Sequence, residues 1–246
     1  MPSQLVCRPE RGFPVAALRV SGTLDQVTGD ALQQAVRLRL ADQPTLLLLD
    51  VAGLRIGDPV GLAALSAVVC QAFEWPDVPV VLCGADAPTM AMISDAPDCT
   101  GLDFAGDYAG ALATARAETV PPRIRVRLRP VPDACRQVRS LVTQACSAWE
   151  RADVASIATL IATELVANVV RHARTSMEFT VRPLQGGRLG MTVRDRSRRM
   201  PKPADAGLSD AGGRGLRLVR DLTDAWGVLP VTDGKVVWTR MRADTL

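Results

Sequence analysis

The chain has 246 residues, 48% hydrophobic and 22% charged, with a net charge of +3; this balance suits a protein with real cores, and so small a charge offers no footing for nucleic acid. Six cysteines lie far apart without a C-x-x-C pair and His172 is the single histidine, so a Cys/His zinc site lacks material and the thiols read as reduced cysteines of a cytoplasmic protein. The start, Met1-Pro-Ser-Gln4, shows no basic region before an apolar run, and no apolar stretch nears the roughly 18–20 residues of a membrane helix, so neither a secretory signal nor membrane insertion is expected.

Val15–Val20, Leu46–Val51 and Val78–Cys83 read as strands, each a short apolar run bounded by turn residues. Between the first two, Leu24–Leu40 carries Leu32, Ala35, Val36 and Leu40 at helical spacing. Val60–Phe73 is apolar almost all round, as expected of a helix packed on a sheet. Ala109–Ala117 closes this part as an alanine-rich helix. Strands alternating with helices predict an α/β layer architecture. The pattern stops at Thr119–Pro122, whose double proline suits neither a helix nor a central strand. The expected division is a domain over 1–118, a linker over 119–123 and a second domain over 124–246.

Arg123–Arg129 alternates strictly, with Ile124, Val126 and Leu128 on one face; this predicts a half-buried strand with a solvated arginine face. Pro132–Trp149 and Asp153–Ala173 read as long helices, and Ser176–Pro183 and Arg188–Arg194 as strands joined through Gly186-Gly187. Pro201–Gly213, rich in Pro, Ala, Asp and Gly, leads into a helix over Leu216–Thr223. Trp226–Pro230 and Val236–Met241 form a hairpin across Asp233-Gly234. Only Lys202 and Lys235 are lysines, and arginine and alanine abound, a bias that points to a GC-rich bacterial genome.

Three polar features stand out in this second part. Glu164, Asn168 and His172 recur every fourth residue, which places them on one helix face opposite Leu165, Val166, Val169 and Val170; by itself such a stripe is also what an exposed surface shows. Asp195 ends an apolar strand before Ser197. Its carboxylate could accept from an exocyclic amine, as adenine recognition requires, or merely close an Asx-turn. Gly212-Gly213-Arg214-Gly215-Leu216 opens a helix, where close backbone approach and free N–H groups suit phosphate. No G-K-[ST] follows, so this is not a P-loop.

In this order, Glu-x-x-x-Asn on a helix, Asp after a strand, and Gly-x-Gly opening a helix, the region Ile124–Met241 resembles the GHKL, or Bergerat-fold, ATPases. Gly213–Gly227 and Gly234-Lys-Val-Val-Trp238 look closer still to the bacterial anti-sigma factor serine kinases of that superfamily. The resemblance implies a Bergerat-fold α/β sandwich that binds ATP and Mg2+. Glu164 is implied as general base, Asn168 as the Mg2+ ligand, and Asp195 as the partner of the adenine amino group, with Ser197 where a glycine usually stands. Gly213, Arg214, Gly215 and Leu216 are implied as the phosphate loop, and Pro201–Gly212 as a lid. Where the last strand of such proteins offers a threonine to the adenine, this chain is expected to present Val236.

The first part resembles a STAS domain, the fold of anti-anti-sigma factors, through Val20-Ser-Gly-Thr-Leu-Asp25, Leu46–Leu54 and Gly57-Asp-Pro-Val-Gly-Leu62. Val60 stands where phosphorylatable members carry the acceptor hydroxyl, so this domain is not expected to be a kinase substrate. Together the two likenesses imply an ATP-binding, kinase-like regulator of a sigma factor, acting on that factor or on a separate STAS partner. The alternative is a non-catalytic, nucleotide-dependent binding module regulated in cis by its STAS-like half. Kinases of this kind commonly pair as homodimers.

Overall fold

The computed structural model describes residues 4–10, 14–75, 78–96, 102–117, 122–201 and 214–241, and the chain falls into two compact units, Met1–Val120 and Pro121–Leu246. The expected linker over 119–123 lies largely outside the described residues.

The first unit runs β1 (Leu5–Glu10), β2 (Val15–Leu24), α1 (Gly29–Leu40), β3 (Leu46–Ile56), α2 (Pro59–Glu74), β4 (Val80–Cys83), α3 (Ala87–Ser94), β5 (Asp103–Ala105) and α4 (Tyr108–Ala117). Its five strands lie in chain order, β1-β2-β3-β4-β5. β1 is antiparallel to β2 and the others run parallel. Parallel strands are covered on both faces, which is why Leu46–Leu49 is an unbroken apolar run and Leu46–Val51 is buried throughout, Asp50 included, its carboxylate accepting from Arg19 at 2.8 Å. α1 starts at Gly29, five residues later than the periodicity predicts. Leu24 still belongs to β2, and the Asp25 carboxylate ties a turn by accepting from the N–H groups of Val27 (2.9 Å) and Thr28 (3.1 Å). β1, α3 and β5 have no counterpart among the predicted elements; β1 and β5 are short and only partly buried, so they lack the apolar runs that reveal strands.

α2 begins where Asp58 caps it, accepting from the Gly61 N–H at 2.7 Å, with Pro59 in the first turn, where a missing N–H costs nothing. A side chain at Gly61 would place its Cβ 2.1 Å from the Leu24 carbonyl oxygen, so the glycine is what lets the helix start so close to β2. Val60 beside it is 50% exposed.

The second unit consists of β6 (Ile124–Leu128), α5 (Asp133–Ala148), a 3-10 turn (Ala152–Val154), α6 (Ala155–Asn168), a π-helical turn (Val169–Ala173), β7 (Met177–Pro183), β8 (Leu189–Asp195), α7 (Arg214–Asp221), β9 (Ala225–Val231) and β10 (Gly234–Met241). Its strands form one antiparallel sheet in the order β6-β7-β8-β10-β9. Alternate residues of three strands (Met177, Phe179 and Val181; Leu189, Met191 and Val193; Val237 and Met241) share a core with Val138, Val142 and Cys146 of α5 and Ile161, Leu165 and Val166 of α6. This is a helix layer on one sheet face. In β6 the arginines do face outward, where Arg125 and Arg127 pair with Glu178 of β7.

One expectation is corrected here. Helical turns run without a break from Ala152 to Ala173, 22 residues that include an 18-residue window with a mean hydropathy of 1.6, long and apolar enough by length and composition to cross a membrane. In the folded unit 44% of that window is buried, because α6 is the central helix of the core and its small apolar residues face α5 and the sheet.

Candidate functional site

α6 buries Ala158, Ile161, Ala162, Leu165 and Val166 and leaves Glu164 and Asn168 half-buried at its edge. Their four-residue spacing keeps them on one side, as helical geometry requires. Beyond Asn168 the helix widens into the π turn, which ends on Arg174 in the left-handed conformation (φ 55°) with its N–H donating to the Val169 carbonyl at 2.8 Å. Such turns break the register of an α-helix. His172 is therefore exposed, yet it lines the same cavity as Asn168.

That cavity, about 170 Å3, is walled by Asn168, His172 and Ala173 from the helix, Asp195 and Ser197 from the end of β8, Leu216 from α7, and Lys235 from β10, with Arg199, Met200 and Pro201 along its rim. Gly215 brings α7 onto α6: a Cβ there would lie 2.4 Å from Oε2 of Glu164. The structure thus gathers Asn168, Asp195, Ser197 and Leu216 around one space, with Glu164 against the glycine that precedes Leu216. Gly213, the side chain of Arg214 and the expected lid after Pro201 lie outside the described residues.

Asp195 is 3% exposed. Its Oδ1 accepts from the Ser197 N–H at 2.7 Å, so the Asx-turn that the sequence allowed is formed. The same oxygen accepts from Nζ of Lys235 at 2.9 Å, and Nζ also donates to the Ser197 carbonyl at 3.1 Å. Oδ2 lies 2.8 Å from Nζ, but out of line for a hydrogen bond, and among the described residues it has no hydrogen-bond partner. This corrects the expectation for the last strand. The register pairs Lys235 with Asp195, and Val236 with Arg194, so Val236 points to the opposite sheet face and is fully buried there. A one-residue shift along a strand exchanges faces, and the side chain that meets the aspartate is Lys235.

Among the described residues no three His, Cys, Asp or Glu side chains cluster to hold a metal. A cation here would be held by the Asn168 amide oxygen together with ligand oxygens, a set of hard oxygen donors that suits Mg2+. At the neighbouring hairpin tip, Asp233 accepts from Arg194 at 3.1 Å, and this bond holds its carboxyl below the usual range. Lys235, Arg199, Met200 and Ala173 are cavity residues that sequence reasoning missed. Lys235 had a signal: it is one of only two lysines and stands directly after the Asp233-Gly234 turn.

Residues 128–241 match the family of histidine kinase-like ATPase domains. Among solved structures, an anti-sigma factor antagonist from Mycobacterium paratuberculosis aligns with 47% of this chain and 97% of its own, at 25% identity and a TM-score of 0.41. The RsbU and RsbW domains of a Mycobacterium tuberculosis protein align with 49% of this chain and 32% of their own, at 18% identity and a TM-score of 0.37. The histidine kinase domain of a blue-light activated kinase from Erythrobacter litoralis aligns with 51% and 70%, at 19% identity and a TM-score of 0.30. No match is found among curated proteins. The cavity bounded by α6, β8, β10 and α7 thus lies within residues 128–241, and that stretch is a histidine kinase-like ATPase domain, an assignment that implies ATP as its ligand.

Proposed function

We propose that this chain is a cytoplasmic ATP-binding regulator of sigma-factor partner switching, whose second unit is a serine/threonine kinase-like anti-sigma factor. The observation that carries the reading is the convergence, inside a histidine kinase-like ATPase domain, of Asn168, Asp195, Ser197 and Leu216 on one cavity with Glu164 against Gly215. Asp195 accepts from the adenine amino group, and the glycine segment Gly213–Gly215 with Leu216 approaches the phosphates at the start of α7. Asn168 would hold Mg2+, which when bound neutralises charge on the phosphates. Glu164 takes the proton of an acceptor hydroxyl as its oxygen bonds to the γ-phosphorus and the bond to the ADP oxygen breaks.

The acceptor belongs to another chain, a separate STAS protein. In the first unit the capped start of α2 presents Val60, which has no hydroxyl, between Pro59 and Gly61. That half serves docking, either to the kinase-like half or to a further regulator.

The test is incubation of the full chain with γ-labelled ATP, Mg2+ and candidate STAS proteins carrying an acceptor serine. Label on the partner, lost with Glu164→Gln while ATP still binds, supports the kinase. Partner regulation that survives Glu164→Gln would instead assign the chain to nucleotide-dependent binding without catalysis, and a chain that binds no ATP would sink both readings.

A further inference from the structure

Lys235 is 3% exposed and ion-paired with an equally buried Asp195. Fully buried lysines are rare, and a buried ion pair seldom stabilises a fold more than apolar residues of the same volume, since desolvation offsets the attraction. Stability therefore does not account for this pair at the wall of a cavity. Its chemistry does. The two charges cancel, so the wall presents a neutral unit with an acceptor and a donor side by side. Asp195 Oδ2 is a buried acceptor with no hydrogen-bond partner among the described residues. Nζ carries three hydrogens, and two go to Asp195 Oδ1 and the Ser197 carbonyl. Oδ2, in ion-pair contact with Nζ at 2.8 Å, keeps lone pairs open, and Nζ keeps one N–H beyond those two bonds, on side chains that both line the cavity.

We propose that Lys235 reads the nucleotide base: Asp195 accepts from the exocyclic amine of adenine while the Lys235 ammonium donates to the adjacent ring nitrogen, N1. This rests on the reading of the cavity as an ATP site and assigns its specificity. Adenine sets a donor beside an acceptor on this edge, matching the pair. Guanine sets a carbonyl beside an N–H and would face the two groups in the wrong order. Val236, on the other sheet face, takes no part.

The test is calorimetric titration of the full chain with ATP, 1-deaza-ATP (C–H in place of N1) and GTP. The expected result is 1-deaza-ATP binding about tenfold more weakly than ATP, the worth of one hydrogen bond, with GTP weaker than ATP. In Lys235→Met the difference between ATP and 1-deaza-ATP disappears, and Lys235→Thr serves where the methionine variant melts early. The wild-type comparison needs no substitution, so it decides even if both variants fail to fold. Equal affinity for ATP and 1-deaza-ATP, GTP binding as tightly as ATP, or discrimination that persists in Lys235→Met overturns the role of Lys235 and leaves the ATP site standing. A wild-type chain that binds none of the three overturns both.

Discussion

Gly215→Ala separates the fold of the second unit from its chemistry. The added Cβ would sit 2.4 Å from Oε2 of Glu164, 3.4 Å from Cδ and 3.8 Å from Cβ. Only the oxygen is too close, and it is the far end of a flexible side chain, so the carboxylate retreats by roughly 1 Å to reach ordinary contact while the backbones stay. Alanine gains up to about 1 kcal/mol over glycine in a helix, which offsets the rotamer adjustment at Glu164. The net change in stability is therefore within about 1 kcal/mol, a shift in Tm of no more than about 4 °C for a chain of this size. The proposed phosphoryl transfer is far less tolerant, because a misplacement of about 1 Å can cost on the order of a hundredfold in rate. Thermal denaturation and transfer of label from ATP, measured on the same preparation, give both numbers. A variant with native Tm and a rate reduced about a hundredfold is the expected result, and adding Glu164→Gln should then cost little more, since both act on one group. Transfer at the native rate would refute a role for the Glu164 carboxylate in its observed position. A loss of stability above about 3 kcal/mol would show the contact to be rigid packing instead.

Two further outcomes follow from burial and charge. Cys83 is buried and its thiol is pushed up to about 11 by that burial, and burial also raises Cys7, Cys135 and Cys146. At pH 8 iodoacetamide should therefore modify exposed Cys70 ahead of Cys7, Cys83, Cys135 and Cys146; mass spectrometry showing Cys83 labelled as fast in the native chain would contradict its position. Because Asp233 has a depressed pKa in the fold, chiefly from the Arg194 hydrogen bond, its contribution is present above the ordinary aspartate value, near about 4, and is lost as pH falls through the lower folded value. A carboxyl NMR titration should place its midpoint below that of a free aspartate and move it upward in Arg194→Ala. An unchanged midpoint in that variant would remove the pair as the cause.

Much of the secondary structure could be read from the chain because local chemistry and burial agree there. The Leu46–Val51 run is a strand in any environment that covers both faces, and Asp58-Pro59 starts a helix by capping and by the missing N–H of proline. The partly buried strands β1 and β5 were not legible, since an edge strand earns its place through backbone pairing with a neighbour that the sequence does not name. The membrane-length apolar stretch was also hidden, because three helical segments of different winding join end to end only in the folded unit.

The candidate site divides in the same way. Glu164 and Asn168 share a side because the helical repeat places them there, so their spacing alone determined their association. Asp195 and the glycine segment were recognisable by type and order. What met the aspartate was decided by sheet register: pairing β10 with β8 so that Lys235 opposes Asp195 turned Val236 away and brought a lysine into the wall of the cavity. Likewise the nearness of Gly215 to Glu164 arises from the packing of α7 on α6, across a separation of 51 residues in the chain. Local repeats fix which side chains travel together along one element. Which of them meet across elements depends on pairing and packing between distant segments, and a shift of one residue there changes the chemistry of the site.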